Sequence, residues 1–171
     1  MTEIFIHPTA NVDKNCQIGN GTKIWINAQI RENVVIGSDC IISKDTYIDH
    51  GVEIGSNSKI QNGVSIYNGV TIEDDVFIGP NATFTNDKIP RACNPDWEII
   101  PTVIKKGASI GANSTIICGI TIGEYAMVAA GSVVTKSVEP YSLVMGNPAK
   151  HVSYIDETGN RVQKGEKNET C

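Results

Sequence analysis

KIWINAQIRENVVIGSDCIISKDTYIDHGVEIGSNSKIQNGVSI, residues 23–66, carries an isoleucine at every sixth place: Ile24, Ile30, Ile36, Ile42, Ile48, Ile54, Ile60 and Ile66. The register extends back through Ile18, Val12 and Ile6 and forward through Ile72, Ile78 and Phe84, giving fourteen unbroken hexads. Four places after each aliphatic residue stands a small or β-branched one, among them Ala28, Val34, Cys40, Thr46, Val52 and Ser58. After a break the pattern resumes at Ile104 and runs through Ile110, Ile116, Ile122, Val128 and Val134, with Ala108, Ser114, Ile120, Ala126, Ser132 and Val138 as partners.

A period of six matches neither the 3.6 of a helix nor the plain alternation of a hairpin. β-Branched enrichment with Gly, Asn and Asp punctuation calls for very short strands joined by tight turns. The economical solution is an all-β chain wound as a parallel β-helix of triangular cross-section, three hexads to an 18-residue coil. The aliphatic residue then points into the prism and the small one fits the corner. Gly19, Gly37 and Gly55, each 18 apart, agree with that coil length. Twenty hexads predict between six and seven coils. The hand is not fixed by these considerations, because the usual crossover rule favours right-handed connections.

At 171 residues the chain is long enough for one domain with a sizeable core and too short for two ordinary ones. Its 40% apolar and 19% charged content is that of a globular protein, and no apolar run approaches the roughly 18 residues of a membrane-spanning helix. A net charge of −5 disfavours a non-specific grip on nucleic acid or an anionic membrane, so small-molecule partners are expected. The five cysteines are odd in number and lack CxxC spacing, which supports neither a disulfide framework nor a zinc site. Met1-Thr2-Glu3 opens no secretory signal, and a reducing cytoplasm is the expected compartment.

Between Phe84 and Ile104 lie twenty residues where one hexad needs six, an excess of 14. An insertion this long, with Pro90, Pro95, Pro101, Trp97 and Arg91, reads as functional. After Val138 the pattern ends, and the polar tail from about Tyr154 to Cys171 is expected to be partly helical or loose.

Positions 18 apart stack on one corner, one strand spacing of about 4.7–4.9 Å from rung to rung. Glu32, His50, Asn68 and Asn86 form one such ladder, and Arg31, Asp49, Tyr67 and Thr85 form its neighbour. Together they make a polar strip leading to the base of the insertion. It reads either as a substrate groove or as a solvated corner.

The hexads, FTNDKIPR (Phe84 to Arg91), GASIGANSTIICGITIG (Gly107 to Gly123) and VVTKSVEPYSLVMGNPAK (Val133 to Lys150) resemble the left-handed β-helix hexapeptide-repeat acyltransferases. More narrowly, the chain resembles the N-acetyltransferases of nucleotide-linked 3-amino sugars. The resemblance covers about residues 4–152. It implies a left-handed parallel β-helix over 1–153, an inserted loop about 85–103 and a C-terminal tail over 154–171. It also implies a homotrimer with interfacial sites and acetyl-CoA lying along the outer surface of the coils, without a metal.

Acetyl transfer to an amine needs a neutral nucleophile, an orienting group and donors for the developing oxyanion. The resemblance makes Asn86 the group beside the acceptor amine. His50 is the histidine of the strip and reads either as a proton relay or as a structural corner residue. Arg31, Glu32, Gln61, Tyr67, Asn68, Asp87 and Arg91 are the candidate substrate contacts, with Arg91 or Arg31 suited to a diphosphate or a carboxylate. Trp25 and Trp97 either stack on a base or cover the coil edge. Ser109, Ala112, Ala129 and Ala130 offer close approach to a pantetheine arm, and Lys136 and Lys150 can meet its phosphates.

The expected acceptor is UDP-2-acetamido-3-amino-2,3-dideoxy-glucuronate, for O-antigen or related surface polysaccharide, with Arg31 as carboxylate partner. A dTDP-3-amino-3,6-dideoxyhexose is the alternative, and a hexapeptide-repeat O-acetyltransferase a more remote one. A zinc carbonic anhydrase needs three convergent histidines, and His7, His50 and His151 are far apart in the chain. An ice-binding solenoid would carry flat ladders of identical residues, which the mixed corners do not.

Overall fold

A computed structural model describes residues 3–163. Two-residue strands such as Lys23–Ile24, Ile41–Ile42 and Lys59–Ile60 recur every six positions, and every third one pairs in parallel with the strand of the next coil. Ile24 lies against Ile42, and Ile42 against Ile60, a register of 18. Three sheets result. The first has ten strands, the second seven and the third six.

Each hexad spends two residues on the strand and four on the turn to the next face. The third residue after the aliphatic position has to take positive φ, as Asn27, Asn33, Asp39, Asp45, Asn57, Asp75 and Asn81 do at 56–60°. That conformation penalises most L-residues, which is why Asn, Asp and Gly recur there. The following small residue closes the corner inside the prism. Where it carries a hydroxyl, the next coil satisfies it: Thr22 Oγ1 donates to the Gly37 carbonyl at 2.8 Å and Ser58 Oγ to the Glu73 carbonyl at 3.1 Å.

The core is one column of stacked side chains from Ile24 to Val144, with the aliphatic residues at most a few per cent exposed. At the N-terminal end the column is open, and Ile6 is 43% exposed. The C→A corners, which lead from the third sheet back to the first, pack closest. A Cβ on Gly37 would come within 2.6 Å of the Ser56 nitrogen.

Ile72 pairs with Ile104 and Phe84 with Ile116, 32 residues apart, so the coil absorbs the 14 extra residues without losing register. The last coil departs from expectation. Val138 does not fill a corner. It bridges Ile122 on the third face, 16 residues away, because the segment after Val134 is two residues short. Strand Ser142–Gly146 then adds an eighth parallel rung to the first face, beyond the six to seven coils the hexads predict.

The tail differs too. Ala149–Ile155 folds back antiparallel on Ser142–Gly146, and Arg161–Val162 pairs with it in turn, so Tyr154 to Val162 is strand and turn with no helix. Alternating Val152, Tyr154 and Val162 suit a hairpin, and the Asp156 carboxylate ties its turn by accepting from the Thr158 and Asn160 backbone. Cys171 lies outside the described residues.

Candidate active site

The B→C corner, between the second and third sheets, holds the polar strip, and its rungs stack in the expected order. Asp49 is its hub. Its carboxylate accepts from Arg31 Nη1 at 3.0 Å, the Tyr47 hydroxyl at 3.0 Å, the His50 backbone at 2.9 Å and the Asn68 backbone at 3.3 Å. The His50 ring Nδ1 lies 3.1 Å from the same oxygen. Burial raises the Asp49 carboxyl, but the His50, Asn68 and Tyr47 donors outweigh it and hold the group below its usual range.

This geometry fixes what the neighbours can do. With Nδ1 engaged on Asp49, the second ring nitrogen of His50 is the one open to a ligand. Arg31 is already committed: Nη2 and Nε donate to both oxygens of Glu32, at 2.7 and 3.1 Å, while Nη1 serves Asp49. Its fork is taken, so it is poorly placed to pair with a substrate carboxylate. Tyr67 stays 38% exposed and tilts against Tyr47, ring centroids 5.8 Å apart.

At the end of the strip the insertion leaves from Asn86 and returns to it, the Ile100 N–H donating to the Asn86 carbonyl at 3.0 Å. Two glycines receive the returning stem. A Cβ on Gly119 would approach Ile100 Cγ2 to 2.8 Å, and one on Gly69 would overlap Ile99 Cγ2. Within the loop, Asp87 Oδ1 caps the Ile89 N–H at 2.8 Å, Arg91 Nη1 donates to the Pro90 carbonyl at 3.1 Å, and Asn94 Oδ1 accepts from Asp96 N at 3.1 Å. The result is a cleft of about 500 Å³ lined by Asn86, Asp87, Arg91, Asn94 and Trp97, with Pro90 and Ala92. That volume lies in the range of small-molecule sites.

The structure therefore brings together Arg31, Glu32, His50, Tyr67, Asn68, Asn86, Asp87 and Arg91 along one corner and its loop. Gln61 stands apart. It belongs to the A→B corner, between the first and second sheets, along with Trp25, Ala112, Ala129 and Ala130. That corner is open at Gly131, where an added Cβ would meet no atom within 4 Å. Backbone groups there are within reach of an extended ligand such as a pantetheine arm.

Ser109 faces outward on the first sheet, half-buried. Lys136 continues the Asn86 ladder beyond Cys118, and Lys150 sits exposed in the final hairpin. No group of His, Cys, Asp or Glu side chains fit to hold a metal occurs among the described residues. Sequence reading set Asp49 in a ladder without a role, and it passed over Asn94 altogether. The Tyr47-x-Asp49-His50 spacing beneath Arg31 was the available signal for the first.

Residues 15–50, 51–86 and 101–136 match the six-repeat bacterial transferase hexapeptide family. A dTDP-3-amino-3,6-dideoxy-alpha-D-galactopyranose 3-N-acetyltransferase of Aneurinibacillus thermoaerophilus is 49% identical over 159 residues, 93% of this chain and 82% of the relative. The hexapeptide-repeat acetyltransferase VCA0836 of Vibrio cholerae, solved with acetyl coenzyme A, superposes with a TM-score of 0.57 at 29% identity, over 67% of this chain and 70% of that one. PerB of Caulobacter crescentus, solved with CoA and GDP-perosamine, shares the fold with a TM-score of 0.57 at 22% identity, over 89% of this chain and 58% of that one. The chain belongs to the hexapeptide-repeat bacterial transferases, in their branch of sugar N-acetyltransferases.

Proposed function

We propose that the chain moves the acetyl group of acetyl-CoA onto the 3-amino group of a nucleotide-linked sugar, with a dTDP-3-amino-3,6-dideoxyhexose as acceptor. The setting is the cytoplasmic assembly of a surface polysaccharide such as O-antigen. The observation that carries the reading is the cleft in which the insertion closes on Asn86, at the end of a polar strip one rung wide per coil. The 49% identity to the dTDP-sugar enzyme supports the nucleotide. The commitment of Arg31 to Glu32 and Asp49 removes the carboxylate partner that a uronate acceptor requires.

Acetyl-CoA supplies an activated thioester carbonyl. The amine forms the new C–N bond, the C–S bond breaks, and the ammonium proton leaves as the thiol is released. The Asn86 side-chain amide orients the amine, whose pKa, if near the α-amino value of roughly 7.7–8, leaves a reactive fraction at neutral pH. His50, locked by Asp49 two rungs or about 9.5 Å back along the strip, receives the released proton. Arg91, whose guanidinium touches only the Pro90 carbonyl, is the cation free for the diphosphate.

The acceptor strip and the small-residue corner lie at opposite edges of the second sheet. A donor on one meets an acceptor on the other when two prisms stand side by side, which favours a homotrimer with shared sites. Thiol release from acetyl-CoA tests the reaction. Turnover with the dTDP-linked amine and little with the UDP-linked uronate is expected, and the reverse preference overturns the acceptor assignment.

A further inference from the structure

We infer that Trp97, with Asn94 at its side, is the platform on which the acceptor's nucleobase stacks, and that the base it takes carries ring carbonyls. The inference rests on the nucleotide-sugar reading above and assigns one subsite within it. Of the two tryptophans, Trp25 is already covered, its ring tilted against Phe5 at 5.4 Å. Trp97 is 48% exposed, lines the cleft with Asn86 and Arg91, and has no ring partner or hydrogen bond among the described residues. A large indole held at a cleft by a loop containing three prolines offers its face at little entropic cost.

Stacking alone tolerates any base. Asn94 adds the discrimination. Its Oδ1 is spent on the Asp96 N–H, so its amide nitrogen keeps two donors for the edge of a ring. Thymine and uracil present carbonyl acceptors there, whereas adenine presents none. Arg91, three residues before Asn94, places a free cation where the diphosphate leaves the nucleoside.

The test uses Trp25→Phe, which leaves Trp97 as the sole indole. Titration with dTDP or UDP is expected to quench its fluorescence saturably, ADP to require at least about tenfold higher concentration, and inorganic pyrophosphate to leave it unchanged. In otherwise wild-type protein, Trp97→Ala is expected to raise the KM for the nucleotide sugar roughly tenfold to hundredfold with kcat nearly unchanged, and Trp97→Phe to restore most of it. An unchanged KM in a Trp97→Ala protein of wild-type melting temperature overturns the platform while leaving the transferase reading standing. Equal quenching by pyrophosphate and dTDP also overturns it. Saturable quenching by dTDP in a protein that acetylates no nucleotide sugar sustains the platform and sinks the transferase reading instead.

Discussion

Asn86 and His50 share one ladder but differ in what holds them. The backbone of Asn86 is pinned by the returning loop, and its side chain lines the cleft. The His50 ring is tied to Asp49. If orientation dominates, Asn86→Ala lowers kcat by about a hundredfold, while His50→Gln lowers it less than tenfold, short of the 10²–10⁴ expected of a general base. A larger fall in the histidine variant, seen in steady-state rates across pH, would transfer the base role to His50. Asp49 belongs to the same argument through stability. Its folded pKa is depressed, so its contribution is present above the unfolded carboxylate value near about 3.9 and is lost as pH falls through the folded one. Asp49→Asn is therefore expected to be less stable than wild type at neutral pH and to lose less on acidification, as denaturant midpoints from pH 7 to 3 would register. The ladder was readable from positions 18 apart. That Arg31 is occupied was not, because spacing shows which residues are neighbours and says nothing of whether their charges are already paired.

Among the elements, the insertion is the one that turns a repeat into a site, and it is held by very little. Its closing backbone bond joins Asn86 to Ile100, and its apolar footing is Ile99 and Ile100 resting on Gly69 and Gly119. Gly119 has φ +83°, so Gly119→Ala meets both a backbone penalty of roughly 1–2 kcal/mol and the Ile100 methyl. The expected result is a modest loss of stability with a larger loss of turnover, since a loop displacement of 1 Å can cost about a hundredfold in rate. Adding Ile100→Ala removes the methyl in the way and should restore turnover without restoring stability, a non-additivity measurable in one cycle. The length of this element was legible as 14 residues out of register. Its docking was not, because a glycine in a hexad is also the ordinary answer to positive φ, and only the fold tells the two uses apart. The terminal hairpin was missed for a related reason: once Val138 slips from a corner into the column, the six-residue rule no longer describes the chain.

For the whole molecule, the hexads alone specify three faces and three corners, and that geometry separates the two halves of the reaction. Asn86 and its strip occupy the B→C corner, and Ala112, Ala129 and Ala130 the A→B corner. A site inside one prism would require donor and acceptor to meet across the full width of the second sheet. A site between prisms requires only that unlike corners of neighbouring chains face each other, which a cyclic assembly provides at every interface. The two arrangements are separated by mixing two inactive proteins, Asn86→Ala and a donor-corner block such as Ala129→Arg. If each site draws on one chain, every site in the mixture carries a defect and no activity returns after co-refolding. If each site takes Asn86 from one chain and Ala129 from the next, random assembly from equal amounts leaves about one interface in four with both intact residues, whatever the ring size. Recovery of about a quarter of wild-type turnover is the expected result. It would appear only when the chains are unfolded together, because folded oligomers mixed afterwards keep their own interfaces.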